Sequence, residues 1–285
     1  MDVSKLSGAT VLVTGAASGI GQESALAFAR RGADLVICDR NAEGLAETAE
    51  QIQALGRDVR ASTVDVSSAE QMREFAEMVH AEVEAVDILM NNAGVGLGGG
   101  FLDTSLEDWE WIISVNLKGV IHGCHYFVPK MVERARGGHV VNVSSAAGYF
   151  ASQALAAYCT TKFGVLGLSE ALRDELAPHG IGVTAICPGV INTPIVRTSP
   201  LRGATDTAEA RRLIIEAYER RNYGPDRVAR QVLKAIQKNR AVAPVSPEAW
   251  LLFYLKRLFP GFAHWLSRRM SAAQQRRLEK IRSRS

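Results

Sequence analysis

The chain has 285 residues, 47% hydrophobic and 22% charged, with a net charge of +3. These are the proportions of a globular protein with one large core, and they exclude a disordered chain, a collagen-like repeat and a small disulfide-stapled scaffold. The charge is uneven: from Ala249 to Ser285 there are nine Lys or Arg against Glu279 alone, so a mildly acidic body carries a basic tail, which argues against nucleic acid as a partner of the whole protein.

Short β-branched runs alternate with longer helical stretches along the chain. A strand at Thr10 to Thr14 leads through a glycine turn into a helix, Ile20 to Arg31. The alternation continues with a strand at Asp34 to Cys38, a helix at Ala42 to Leu55, a strand at Asp58 to Val64 and a helix at Ser68 to Val83. A strand at Ile88 to Asn91 precedes a glycine-rich stretch, Gly94 to Gly100, that reads as a flexible loop. A long helix, Leu106 to Glu133, a strand at Gly138 to Val143, a helix at Ala154 to Ala177 and a strand at Gly182 to Cys187 follow. Six strands in βαβ order predict an α/β fold: a doubly wound, Rossmann-type parallel sheet with helices on both faces and a ligand at the carboxyl ends of the strands. Beyond Pro188, a polar stretch to Thr207 and charged helices at Ala208 to Asn222 and Asp226 to Asn239 place a lid over about 191–223. The expected domain covers 6–243, and 244–285 is an amphipathic, basic extension.

The first strand runs into Gly15-x3-Gly19-x-Gly21 and then a helix. Glycines let a backbone approach a pyrophosphate, and the free N–H groups of a helix start attract it. Asp39, ending the second strand, has the place of a carboxylate that accepts from both ribose hydroxyls of an adenosine. It would repel a 2′-phosphate, and Ser18 brings no compensating charge, so NAD is favoured; Arg40 keeps NADP open as the alternative. Tyr158 and Lys162 stand four apart on one helix face, where an ammonium and a cationic nicotinamide would stabilise a phenolate that normally forms near ~10. That makes the tyrosine usable as a general acid or base.

These residues, with Asn91-Asn92-Ala93-Gly94, Asn116 within Ser-Val-Asn-Leu-Lys, Ser144-Ser145 and Pro188-Gly189, resemble the short-chain dehydrogenase/reductases in order and spacing from residue 6 to about 240. The resemblance implies an NAD(P)-dependent oxidoreductase that transfers a hydride to or from a carbonyl or alcohol carbon. It implies a catalytic tetrad of Asn116, Ser145, Tyr158 and Lys162, with Ser145 chosen over Ser144 by the family's spacing to Tyr158. Ser145 would hold the substrate oxygen, Lys162 the nicotinamide ribose, and Asn116 a water leading from Lys162 to solvent. Cofactor contacts carried over in the same way are Gly15, Ser18, Gly19, Ile20, Gly21, Asp39, Arg40, Asp65, Val66, Asn92, Ala93, Gly94, Tyr158, Lys162, Pro188, Gly189, Val190 and Thr193. The helices Leu106 to Glu133 and that of Tyr158 imply a homodimer or homotetramer.

Other features read as structural. Cys38, Cys124, Cys159 and Cys187 have no metal-ligand spacing and suit reduced side chains in the cytoplasm; no signal peptide starts the chain, and no apolar run reaches the ~18 residues of a membrane span. His122 and His125 share a helix face without the carboxylates of a metal site, so no metal is expected. Trp109 and Trp111 are expected to pack or to meet a second subunit. Leu213, Ile214, Ile215 and Tyr218 in the lid point to an apolar, lipid-like substrate. In the tail, the aromatic and aliphatic residues of 250–259 and Phe262, Trp265, Leu266 and Met270, interleaved with basic residues, suit peripheral contact with a lipid surface. The tail also resembles the reductase portion of certain actinobacterial epoxide hydrolase-reductase fusions, which implies a longer parent protein. Two other readings stay open: a non-catalytic dinucleotide-sensing or scaffold protein on the same fold, and a dehydratase or epimerase using the same Tyr-Lys pair.

Overall fold

Val11, Leu12 and Val13 are all fully buried, and a strand covered on both faces is what a parallel sheet with helices above and below requires. The computed structural model describes residues 2–203 and 206–269. Seven parallel strands stand in the order β3-β2-β1-β4-β5-β6-β7: β1 (Thr10–Thr14), β2 (Asp34–Asp39), β3 (Val59–Thr63), β4 (Ile88–Asn91), β5 (Gly138–Val143), β6 (Ile181–Cys187) and β7 (Val242–Pro244). The sequence reading gave six. The seventh escapes it because three residues ending in proline carry no period-two signal, and such a strand is stable only at an edge, where Ala185 to Cys187 pair with it.

Alternate strand residues feed two cores. Val11, Val13, Leu35, Ile37, Met90 and Val141 pack on one face against α1 (Gly19–Ala29), α2 (Ala42–Ala54) and α9 (Pro225–Gln237). Leu12, Val36, Leu89 and Val140 face the other way, onto α3 (Ala69–Glu82), α5 (Gly119–Arg134) and α6 (Ala156–Leu176). Each such side chain contributes about 1.5–3 kcal/mol by leaving water.

The expected helix from Leu106 to Glu133 is two helices, α4 (Leu106–Ile113) and α5, joined by a π-helical turn at Ser114–Lys118. One residue too many for an α turn is inserted there, a local device common at functional sites, and Asn116 is its fully buried centre. In the expected lid, a short helix α7 (Ile195–Thr198) precedes α8 (Ala208–Arg221). After β7, α10 (Pro247–Leu258) buries Ala249, whose carbonyl accepts from the Tyr149 hydroxyl at 2.7 Å. A last helix spans 260–269. Met270 and the basic residues from Arg276 onward lie outside the described residues.

The stretch Gly94 to Gly100 is not the flexible loop that its composition suggests. Gly98 N–H donates to Pro200 O at 3.0 Å and Gly98 O accepts from Arg202 N–H at 2.7 Å, while Gly99 N–H donates to Ala154 O at 2.8 Å. The glycines are what allow it: a Cβ on Gly96 would stand 2.1 Å from Ser199 Oγ, and one on Gly98 2.6 Å from Leu201 Cδ2.

Candidate active site

The turn between β1 and α1 is closed by backbone proximity. Gly15 and Gly19 take φ of +68° and +59°, and a Cβ on Gly21 would meet Gly15 O at 2.0 Å, so glycine alone fits. Thr14 Oγ1 accepts from the N–H groups of Asn92 and Ala93 at 3.0 and 3.1 Å, and Asn92 Nδ2 donates to the carbonyls of Thr14 and Gly15 at 2.9 Å each. The loop after β4 is thereby bolted to the glycine turn. Ser18, the N-cap of α1, makes no side-chain cap, and the first turn of α1 holds no acid. Its N–H groups are therefore open to an anion, and the residues fit a dinucleotide's pyrophosphate.

Asp39 lies at the next strand end. Its Oδ2 accepts from Ala17 N–H at 3.0 Å and its Oδ1 from Asn41 N–H at 2.9 Å, so the carboxylate is held beside the glycine turn while Arg40 is exposed. A cleft of about 380 Å³ opens here. Of the expected cofactor residues, Gly15, Ser18, Gly19, Ile20, Asp39, Arg40, Asp65, Val66, Asn92, Ala93, Gly94 and Thr193 line it. Gly21, Tyr158, Lys162, Pro188, Gly189 and Val190 do not. The far wall is made by Trp111, Val115, Ile195 and Ser199-Pro200. The tryptophan was expected to pack or to meet a second subunit, and Ile195 and Ser199-Pro200 fall in the expected lid, though nothing in the sequence marks them individually, since their place depends on the tertiary fold.

Beyond Gly94 the four tetrad residues converge. A Cβ at Gly94 would stand 3.1 Å from Asn116 Oδ1 and 3.5 Å from Lys162 Nζ, so both groups border that glycine. Asn116 Oδ1 accepts from Val95 N–H at 2.7 Å, and its Nδ2 donates to Val95 O at 2.9 Å and Thr161 Oγ1 at 3.3 Å. Lys162 is buried, donates to Val143 O at 3.0 Å, and has Nζ 5.7 Å from the Tyr158 ring centre. The two adjacent serines part company: Ser144 is buried and donates to Lys162 O at 2.8 Å. Ser145 is half-buried, donates to Pro188 O at 3.4 Å and accepts from Ala147 N–H at 3.1 Å.

Burial pushes the Tyr158 phenol up to about 12, with the Ser145 hydroxyl pulling the other way. Burial also pushes the Lys162 ammonium down to about 8. Both shifts come first from desolvation, and the cationic nicotinamide that the sequence reading pairs with the ammonium would add the positive charge that favours a phenolate. His122 Nδ1 bonds to Val66 O at 2.8 Å and His125 packs on Tyr126; among the described residues no cluster of His, Cys, Asp or Glu has a metal-site arrangement.

A sequence profile of the short chain dehydrogenases matches residues 9–202. The chain belongs to the short-chain dehydrogenase/reductase family. Over 254 residues it is 46% identical to the probable oxidoreductase EphD of Mycobacterium tuberculosis, an overlap of 88% of this chain and 43% of that protein. The chain thus spans less than half the length of that relative. A short-chain dehydrogenase/reductase from Burkholderia phymatum in complex with NAD superimposes with a TM-score of 0.80 at 30% identity, over 89% of this chain and 94% of that one. An actinorhodin polyketide ketoreductase with NADPH gives 0.74 at 31%, over 85% and 97%. Family membership and these relatives support NAD(P)-dependent hydride transfer by this stretch of chain, with the substrate unspecified.

Proposed function

We propose that the chain is an NAD-preferring dehydrogenase or reductase for apolar secondary alcohols and ketones, with Tyr158 exchanging the proton. The observation that carries this is the setting of the phenol. Tyr158 packs with Val95, Trp109 and Trp111 around buried Leu97, Ile112 and Ala157, while Ser145 and Lys162 approach it from its polar side. Such a wall favours hydrocarbon next to the reacting carbon and leaves the substrate oxygen to Ser145 and Tyr158. Ser145 orients that oxygen. The phenol gives or takes the proton, and Lys162 and Asn116 hold the relay behind it. Asp39, already held by two N–H groups, suits a ribose diol and opposes a 2′-phosphate, which supports NAD over NADP.

The test is a turnover screen with NAD and NADP against aliphatic, alicyclic and steroid secondary alcohols, repeated with Tyr158→Phe. Oxidation with NAD is expected, and the Phe variant should lose ~10² to 10⁴ in turnover while binding NADH as before. A Phe variant of parental activity, or tighter binding of NADPH than NADH, would overturn the corresponding part.

Other aspects of the reading have their own support. The four cysteines are buried and unpaired, as suits the reducing cytoplasm. Ile121 on α5 and Phe163 on α6 are exposed, which supports pairing of those helices in a homodimer or homotetramer. EphD's greater length supports a unit that also occurs joined to further segments. No helix among the described residues is long and apolar enough to cross a membrane. Leu251, Leu258, Phe259, Phe262 and Trp265 are exposed beside Lys256, Arg257, Arg268 and Arg269, the composition of an interfacial helix pair. Sedimentation with anionic vesicles should be strong at low salt and weak at high salt; no recovery with anionic vesicles would remove lipid contact from the reading.

A further inference from the structure

Glu248 stands in the first turn of α10 and has no place in the proton chemistry above. Its carboxylate nonetheless joins two segments from elsewhere in the chain. Oε1 accepts the Val190 N–H at 3.1 Å, and Oε2 pairs with the guanidinium of Arg221, the last residue of α8. The fit is close, since a Cβ on Gly189 would stand 2.6 Å from Glu248 Oε1 and 2.3 Å from Ser246 Oγ. Burial disfavours the charge on Glu248. Hydrogen bonds from Ser246, its own backbone and Val190, and the charge of Arg221, still hold the carboxyl below the usual carboxylate range.

Both partners lead to the reacting groups. Two residues before Val190, the Pro188 carbonyl accepts from Ser145 Oγ at 3.4 Å and from Ala146 N–H at 2.8 Å, so the loop that Glu248 grips also receives the Ser145 hydroxyl. Arg221 ends the lid helix, and that helix carries Tyr218, near enough to Tyr158 to oppose its ionisation. Just beyond, Tyr223 donates its hydroxyl to Val245 O at 2.8 Å, and its carbonyl accepts from Asn192 N–H at 3.0 Å. The C-terminal end of the lid, the loop after β6 and the approach to α10 therefore meet at one carboxylate.

We propose that Glu248 is a positioning residue: its carboxylate fixes the lid helix and the Pro188–Val190 loop relative to each other, so that the substrate wall and the Ser145 hydroxyl are set together. The kinetic consequence rests on the proposed roles of Ser145 and Tyr158; the mechanical one does not. Glutamine can still accept from Val190 N–H but cannot form the ion pair, whereas alanine can do neither.

The experiment measures amide hydrogen exchange in the full chain for Glu248→Gln, Glu248→Ala, Arg221→Met and the Gln/Met double variant, alongside oxidation of 2-octanol with NAD. Glu248→Gln should speed exchange within 208–221 roughly fivefold, the scale of one partly exposed ion pair, and leave 188–192 unchanged. Arg221→Met should match it, and the double variant should go no further than either. Glu248→Ala should loosen both segments. In turnover, Gln should raise KM for 2-octanol severalfold with kcat retained, and Ala should lower kcat as well. The melting temperature of Glu248→Gln should fall by no more than about 3 °C, so that this variant decides if alanine impairs folding. Multiplying effects in the double variant, or unaltered exchange in 208–221 for Glu248→Gln, would overturn the proposal. Exchange changes as described, with Tyr158→Phe as active as the parent, would instead sink the active-site reading and leave the latch standing.

Discussion

The cofactor side of the site is built from glycines and main-chain bonds, and the lid is built from arginines. In the cradle, Thr14, Asn92 and Asp39 spend their polar atoms on backbone groups, and Gly15, Gly19 and Gly21 remove the side chains that would keep those backbones apart. On the lid, Arg197 pairs with Glu219, Arg202 with Asp108 and Arg221 with Glu248, while Arg211 donates to the carbonyls of Arg197 and Ser199. Close packing of backbones has no half-open state. Partly exposed ion pairs are each worth only about 0–1 kcal/mol and can be exchanged for water. The contrast assigns a fixed shape to the half that receives an invariant ligand and a detachable one to the half that admits substrate.

The largest effect should come from breaking the rigid half. Gly21→Ala puts a Cβ where only 2.0 Å separates it from Gly15 O. Overpacking of this kind costs ~3 kcal/mol, and NADH binding should be lost together with stability, as melting curves and NADH titration would show. Parental affinity in this variant would mean that the cradle yields as easily as the lid.

Lys162→Met probes the joint between the halves and should move stability the other way. A lysine pushed down to about 8 from 10.5 binds fewer protons folded than unfolded between those values. Its contribution therefore improves as pH rises through that window and is worst below about 8. The Met variant should lose turnover yet be more stable at pH 7, by about 2 kcal/mol after allowing for the donor lost to Val143 O. The gain should vanish as pH approaches 10.5; a gain of the same size at every pH would deny the ammonium its desolvation cost.

Arg202→Met should do least. It removes two N–H bonds to Asp108, of 2.7 and 2.8 Å, and should cost about 1 kcal/mol, seen as a severalfold rise in substrate KM. A matching loss of NADH affinity would show that the two halves are not mechanically distinct.

How much of this was readable in the sequence follows the same division. The first six strands and the glycine turn were legible because local period and residue type dictate them: Val11 to Val13 cannot avoid burial, and Gly15, Gly19 and Gly21 announce a backbone approach. The tetrad positions were named from the family resemblance, and the fold brings Asn116 and Lys162 together beside Gly94, with Tyr158 next to Lys162 and Ser145 next to Tyr158. The π turn was not legible, since Ser114 to Lys118 has ordinary helical composition and the inserted residue is accommodated by what surrounds Asn116. Nor was β7, where the partner strand rather than the sequence Val-Ala-Pro confers the extended form. The lid contacts lie furthest from view: Arg202 and Asp108 are 94 residues apart, Glu248 and Val190 58, and no local pattern pairs an arginine with one acid among many.

The glycine strip at 96–99 lies between the lid and the start of the Tyr158 helix, bonded to Pro200 and Arg202 on one side and to Ala154 and Ala156 on the other. Apart from buried Leu97 it offers no side chains, and its glycines leave room for Ser199, Leu201 and Arg202 to lie against its main chain. Lid side chains other than Ser199, Leu201 and Arg202 can be exchanged for others of different shape or polarity, provided the main chain still meets those glycines, and the residues around Tyr158 behind the seam need not be rebuilt. Such a boundary is where a chain of this kind can diversify in what it accepts while keeping one chemistry, and it marks the natural crossover point for grafting a foreign lid.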